Sequence, residues 1–425
     1  MRRRVLHNKQ LTAWRKACSL WRAVRPTTFN IFYACVCLCA ALATSSCVRE
    51  PELHLPHRTP SDIEIPVVDL ELQTYWNYEL EYGIHYDWRA EWIYGWDDED
   101  RRIFGEEIGY TEPEVFNLRR YYTSQQPYAS HTSVLANTIK GRTFHGEYNW
   151  GYWDILVWSD VDPVQDDVQS LNFDETTTLD SVMAFTNQSM RTSRFQAPTY
   201  TRAFYQPEQL FSAYDRAVEI NQNLDGFEYD SLRNVWVKQL DMVLEPITYI
   251  YLVQVILHNN RNKIIGVDGA SDISSMARTT NVNTGIAGPT PIDVTYNVRF
   301  KNRVTLPQEN STYIDVKSPN EVVSVVGGRV LTFGICNQNG NRITRRSEVN
   351  DKYKHFMDVN MQFNNGMDST FVFDISEKVY SRWKGGVITV ELDMDTVPVP
   401  QRSGGSAFDA VVKDYEDGGT HEFEM

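Results

Sequence analysis

The chain has 425 residues with a formal net charge of −15, and 42% of it is hydrophobic and 12% aromatic. That length allows two or three domains of usual size. The acidic excess disfavours any role that tracks nucleic-acid phosphates or anionic lipid surfaces, so no nucleic-acid partner is expected.

Residues 1–46 carry eight basic side chains, Arg2 to Arg25, and no acid. An apolar run over 31–43 follows, then Thr44-Ser45-Ser46-Cys47. A basic stretch, a short apolar stretch and small residues before a boundary make an export signal. The apolar run is shorter than the about 20 residues that a membrane span needs. A cysteine directly after the small residues resembles a bacterial lipobox, in which the thiol of the new first residue is acylated and the peptide behind it removed. An ordinary signal peptide or an uncleaved anchor is the alternative. The expectation is therefore a lipoprotein signal peptide over 1–46 and a membrane attachment through lipid on Cys47.

Removal of 1–46 leaves 379 residues and takes the net charge to −23. Four of the six cysteines leave with that segment; with Cys47 acylated, Cys336 remains alone and no intramolecular disulfide can form. Cys336 ends an apolar, strand-like run over 331–336 and reads as a buried structural thiol. Residues 47–62, rich in Pro, His and charge, read as a tether that lifts the folded part off the membrane. Glu50 and Glu52, close behind Cys47, are similar to the surface-export signals of Bacteroides-type lipoproteins.

From Val68 the hydrophobic period is two. Val68, Leu70, Leu72, Trp76, Tyr78, Leu80 and Tyr82 share one face, and polar residues take the other. The pattern resumes after Gly83 with Tyr86, Trp88, Trp92, Tyr94 and Trp96. Residues 149–158 and 181–187 predict further strands, and Pro207 could open a short helix over 207–211. Residues 248–257 are apolar on both faces and predict a central strand, joined by a turn at 259–262 to 263–267 as a hairpin. Gly285, Gly288, Pro289 and Pro291 predict a linker. Beyond it, strands are predicted from Ile292 to Phe300 and over 322–326, 330–336, 356–363, 371–375 and 387–394, with strand character again at 408–412 and 421–425. The expected organisation is all-β: an N-terminal antiparallel β-sandwich over 63–286 and a C-terminal one over 290–425.

Motifs for catalysis are missing. The sequence holds no HExxH, GxSxG, P-loop, GxGxxG after a strand, or EF-hand loop, so no catalytic residue, cofactor or metal ligand is assigned. Acidic runs at 97–100, at Asp160 and Asp162 and at Asp166 and Asp167 read as solvated loops. Nine of the residues from Tyr75 to Trp96 are aromatic. Alternating large aromatics chiefly fill a sandwich core. Tyr75 lies on the opposite strand face from Trp76 and Tyr78, and it is the candidate for an exposed glycan-stacking platform. Four tripeptides starting at Asp180, Asp230, Asp368 and Asp395 resemble the O-glycosylation sequon of Bacteroides-type exported proteins.

Several sequence words then point to a family. Phe116-Asn117-Leu118-Arg119-Arg120-Tyr121-Tyr122 and the run from Trp150 to Trp158 resemble the first domain of Bacteroides-type lipoproteins of unknown function. Phe227-Glu228-Tyr229-Asp230, Val235-Trp236-Val237-Lys238, Thr248-Tyr249-Ile250-Tyr251 and Ile273-Ser274-Ser275-Met276-Ala277 extend the match, and Phe408 to Asp417 is similar to their closing strand. That group is similar to the fimbrillin superfamily of anchor, shaft and tip subunits. The resemblance implies two transthyretin-like β-sandwich domains, an outer-membrane, lipid-anchored location facing the cell surface, and fimbrial subunits as partners through strand exchange. It implies a non-enzymatic role as a fimbrial subunit or anchor in adhesion; the alternative is a glycan-binding surface lipoprotein of a nutrient-uptake system.

Overall fold

The computed structural model describes residues 66–76, 79–81, 85–87, 91–123, 126–160, 170–175, 179–195, 202–306, 320–349, 351–401 and 410–412. The residues from Ile65 onward form one compact unit.

Period-two alternation builds the first sandwich. Strand β1 (Val67–Thr74) buries Val68, Leu70 and Leu72, and β2 (Glu79–Glu81) pairs only with β3 (His85–Asp87). Helix α1 (Asp98–Phe104) precedes β4 (Val115–Tyr122), β5 (Ser133–Lys140), β6 (Thr143–Glu147) and β7 (Gly151–Ser159). Four short strands follow: β8 (Leu171–Asp174), β9 (Met183–Thr186), β10 (Gln188–Thr192) and β11 (Arg202–Tyr205). Then come β12 (Phe211–Ile220), β13 (Glu228–Asp230) and β14 (Val235–Pro246). The sheet runs β5-β4-β7-β12-β14-β1-β6, with β13 added beside β14. Strands β12 and β14 pair only at Phe211↔Pro246 and Ser212↔Glu245. The sheet therefore folds over at that corner into two leaves, which close on Leu70, Leu118, Trp153, Ile155, Phe211 and Leu244. Burying each such side chain is worth about 1.5–3 kcal/mol.

The second sandwich uses β15 (Tyr249–His258), β16 (Ile264–Val267), β17 (Ala270–Ala277), β19 (Pro291–Thr305) and β20 (Val322–Thr332), with β18 (Thr279–Asn281) between β17 and β19 joining the small sheet β18-β9-β8. It is completed by β21 (Phe356–Phe363), β22 (Asp368–Asp374), helix α2 (Ser376–Ser381), β23 (Gly386–Asp393) and β24 (Ala410–Val412). Its order is β23-β15-β20-β19-β17-β21-β22-β24, with β16 on β21 and β11 on β19. The long strand β19 pairs with β17 through Pro291 to Asn297 and with β20 from Val298 onward, so it passes from one leaf to the other. Between the leaves lie Tyr251, Val253, Val326, Met357, Phe371 and Ile388.

Strand β15 is central, as its two apolar faces predict. It lies between β20 and β23, with Tyr251, Val253, Val255 and Leu257 in the inner core. Its outer residues Leu252 and Ile256 are covered by Trp92, Tyr94 and Phe104. The alternating aromatics at 92 and 94 are thus core residues, but they lie in an irregular segment rather than a strand. A buried amide fastens that segment: Gln254 donates through Nε2 to the Glu91 carbonyl (2.8 Å) and accepts from Ile93 N (3.1 Å).

The fold is all-β, with sheets packed as sandwiches, and differs from the sequence expectation at particular places. Most strand pairs are antiparallel, but β1–β14, β15–β23, β11–β19 and β22–β24 are parallel. Residues 207–210 are irregular rather than helical and lead into β12 at Phe211, because long-range partners take their polar groups. Glu208 accepts from Ser170 N (2.7 Å), and Leu210 N donates to Thr248 Oγ1 (2.9 Å). The expected hairpin of 248–257 with 263–267 does not form; β16 pairs with β21 instead, after a turn in which Asn259, Arg261 and Asn262 all have positive φ. The two strands predicted over 322–336 are largely one, β20, running straight through Gly327 and Gly328. The Gly and Pro residues at 285–291 lie within the β17–β19 connection, where Ala277 pairs with Pro291 and Gly288 N donates to Thr279 O (2.7 Å). Hydrogen-bonded strands change from the first large sheet to the second between Pro246 and Tyr249.

Candidate functional site

Only Ile247 and Thr248 separate β14 from β15. Thr248 is fully buried, and its carbonyl accepts the Tyr110 hydroxyl at 2.6 Å. This short crossing brings the ends of β1 and β14 beside the start of β15. A groove of about 230 Å³ opens there, walled by both sandwiches, the kind of place where ligand sites concentrate.

The apolar walls are Trp76, Tyr110, Tyr249, Phe333 and Trp383. Trp76 packs against Tyr110 and Phe211 with ring centroids 6.3 and 5.6 Å away, which fixes its ring. Tyr75 stands at the same groove with 57% of its surface exposed, its backbone N held by Leu244 O at 2.9 Å. Burial raises the Tyr249 hydroxyl above its ordinary value, so it stays protonated. Close approach needs glycine here: a Cβ on Gly334, where φ is +82°, would come within 2.9 Å of the Tyr249 ring.

Four polar side chains line the same space: Glu245, Asn337, Arg342 and Lys384. Arg342 Nη2 lies 3.3 Å from Glu245 Oε2. Asn337 is used by its own turn, accepting through Oδ1 from Asn339 N (3.1 Å) and Gly340 N (3.2 Å). Lys384 sits on the turn between α2 and β23. That turn is anchored by Gly385 N to Arg382 O (3.0 Å) and by Arg382 to the buried Glu91 (3.1 Å). Gly385 has φ +91°, and a Cβ there would overlap the Ile250 carbonyl. Lys384 is half-buried, and among the described residues its ammonium has no ion pair or hydrogen bond. The groove can hold one ring against aromatic walls and offer it a positive charge.

Of the site residues expected from sequence, Tyr75 is in this groove, while Cys47 lies outside the described residues. Lys384, Arg342 and Glu245 were not foreseen; nothing local distinguishes Lys384 from its neighbour Arg382 in Arg382-Trp383-Lys384-Gly385-Gly386, since only the fold pairs Arg382 with Glu91. Cys336 is buried as expected, and burial pushes its thiol up to about 12. The acidic run at 97–100 is no solvated loop. Asp97 caps α1, accepting from Glu99 N and Asp100 N, and Asp100 is fully buried with Arg299 and Lys301 against it. Of the residues at 160–167 only Asp160 is described, accepting from Asn117 Nδ2 (3.2 Å). In the four sequon-like tripeptides Ser181, Ser231 and Thr396 are exposed and Ser369 is buried. Among the described residues no three His, Cys, Asp or Glu side chains are grouped to hold a metal ion, and no helix is long and apolar enough to cross a membrane.

No protein-family model matches the sequence, and no curated protein matches it. Among solved structures, an adhesin candidate from Bacteroides ovatus aligns with 81% of this chain and 98% of its own, at 12% identity and a TM-score of 0.43. An adhesin candidate from Bacteroides thetaiotaomicron aligns with 78% of this chain and 93% of its own, at 9% identity and a TM-score of 0.40. The fimbrial anchor protein Mfa2 from Porphyromonas gingivalis aligns over 84% and 95%, at 10% identity and a TM-score of 0.34.

Proposed function

We propose that the chain is a non-enzymatic outer-membrane lipoprotein of the fimbrial class, held by lipid on Cys47 and acting at the cell surface as a fimbrial subunit or anchor in adhesion. The observation that carries this reading is the build of the folded part: two β-sandwiches joined by a two-residue crossing, in a chain whose sequence words, in order, resemble that class. Its partners would be other fimbrial subunits. Strand β24 lies along β22 of the same chain, which favours a self-completed second sandwich over a strand donated in exchange.

The test is to shear surface filaments from native cells and follow the chain by mass spectrometry. Peptides from both sandwiches in the filament fraction are expected, with the acylated Cys47 peptide first in the sequence if the chain keeps its lipid. Absence from filaments, with all of the chain in the membrane fraction, overturns the filament role. It would favour the second reading, a glycan-binding lipoprotein of a nutrient-uptake system, which draws on the position of Tyr75 at an aromatic groove.

A further inference from the structure

We propose that the groove between the two sandwiches binds a single acidic pyranose, a uronate or sialic-acid-type sugar, stacked on Tyr75 and held by its carboxylate at Lys384. The inference rests on the reading of the chain as a cell-surface binding protein in one respect, that such sugars are met outside the cell.

Three observations select this ligand. Tyr75 is the most exposed aromatic of the groove, and it stands beside Trp76, whose ring is fixed by Tyr110 and Phe211. A flat, apolar surface open to water suits the C–H face of a pyranose, which pairs an apolar face with a polar edge. Lys384 is half-buried beside Trp383 and has no acidic partner among the described residues. An ammonium in such surroundings loses hydration without compensation, and an incoming carboxylate supplies it. Glu245 and Arg342, 3.3 Å apart on the rim, offer an acceptor and a donor fork to the sugar hydroxyls. The alternatives each leave part of the groove unsatisfied. A neutral sugar leaves the ammonium unpaired, and inorganic phosphate leaves the aromatic walls wet. The chain carries a net charge of −15, so long-range attraction of anions is weak and recognition must come from this local cation.

The experiment is isothermal titration calorimetry on the full exported chain with three probes: trigalacturonate, 3′-sialyllactose and neutral lactose. Saturable one-to-one binding of at least one acidic probe is expected, with lactose at least about tenfold weaker. Lys384→Gln should weaken the acidic probe about tenfold and leave lactose unchanged, whereas Lys384→Arg should retain most of the affinity. Tyr75→Ala should weaken acidic and neutral probes together. Raising the salt should weaken only the acidic ones. Binding of neither acidic probe, equal binding of lactose, or an unchanged affinity in Lys384→Gln each overturns the proposal. Thermal melting of each variant separates lost binding from lost folding, and Lys384→Arg keeps the test decisive if the Gln variant melts early. The filament fractionation is independent: a chain found in filaments that binds no acidic sugar overturns only the groove assignment. A chain that binds but is absent from filaments overturns only the fimbrial role.

Discussion

His258 ends β15 between two carboxylates, with Nδ1 3.1 Å from Glu321 and Nε2 3.0 Å from Glu391. Burial by itself lowers the imidazole pKa, but the hydrogen bonds and charges of the two glutamates outweigh it and raise the value. A group whose folded pKa is raised stabilises the fold fully below its unfolded value, about 6.5, and loses that contribution as pH rises through the folded value. The native chain should therefore lose on the order of 1 kcal/mol between pH 6 and pH 9 from this residue. Urea unfolding at the two pH values checks it: the slope should flatten in His258→Gln, and an unchanged slope would show that the triad contributes nothing.

At the scale of elements, the β10–β11 hairpin shows how a weakly paired piece is held. Strand β11 meets β19 at only two positions, Phe204↔Val294 and Tyr205↔Thr295. Charges supply the rest. Arg191 Nε lies 3.1 Å from Asp272, Arg194 lies 3.3 Å from Asp358, and Ser193 donates to Asp293. Asp272 and Asp358 are fully buried, and burial followed by the charge of Asp272 pushes Asp358 up to about 6. Removing one partner of such a pair strands a buried charge. Arg191→Met should cost roughly 3 kcal/mol in urea unfolding and speed amide exchange in β11 first; a variant as stable as the parent would mean that the pair is merely tolerated. Strand β20 gives the opposite case, an element set by close approach. A Cβ on Gly327 would overlap the Tyr94 ring, which cannot swing away because its hydroxyl donates to Asp100 (2.9 Å) and Lys301 lies over its face (4.0 Å). Gly327→Ala should cost about 1–3 kcal/mol by overpacking, whereas the same change at Gly340, with open space around it but positive φ, tests backbone strain alone.

Over the whole molecule, the two sandwiches share material. Tyr121, Leu156 and Trp158 on the outside of the first meet Ala277, Phe333 and Cys336 of the second in one buried cluster, and the groove uses both. Strand β15 hydrogen-bonds to β20 and β23, which lie far along the chain. A fragment covering 63–286 keeps β15 but loses both of its neighbours, so it should show no cooperative melting by circular dichroism; a sharp transition would prove that the first part folds alone. Much of this was readable in advance. Residues 68–72 alternate, 248–257 are largely apolar on both faces, and 356–363 and 387–394 carry strand periodicity, all because burial acts on neighbouring residues one at a time. Gly327-Gly328 looked like a break because the reason for glycine, the Tyr94 ring, is more than two hundred residues away in the chain. The 207–211 segment looked helical because its partners Ser170 and Thr248 each lie 38 residues away, beyond any local pattern.

By itself, then, the sequence determined an all-β chain with a strand apolar on both faces at its centre, a buried thiol at Cys336, and an exposed Tyr75. Local alternation and composition suffice for these, since each depends only on which side of a strand meets water. The tertiary structure decided which strands pair, where the four parallel pairs fall, and that Lys384, Glu245 and Arg342 come together with Tyr75. Many apolar strands are interchangeable as partners as far as period and propensity go. The choice among them is made by loop closure, close approach at glycine and the pairing of buried charge, and these act only between distant segments once they are packed.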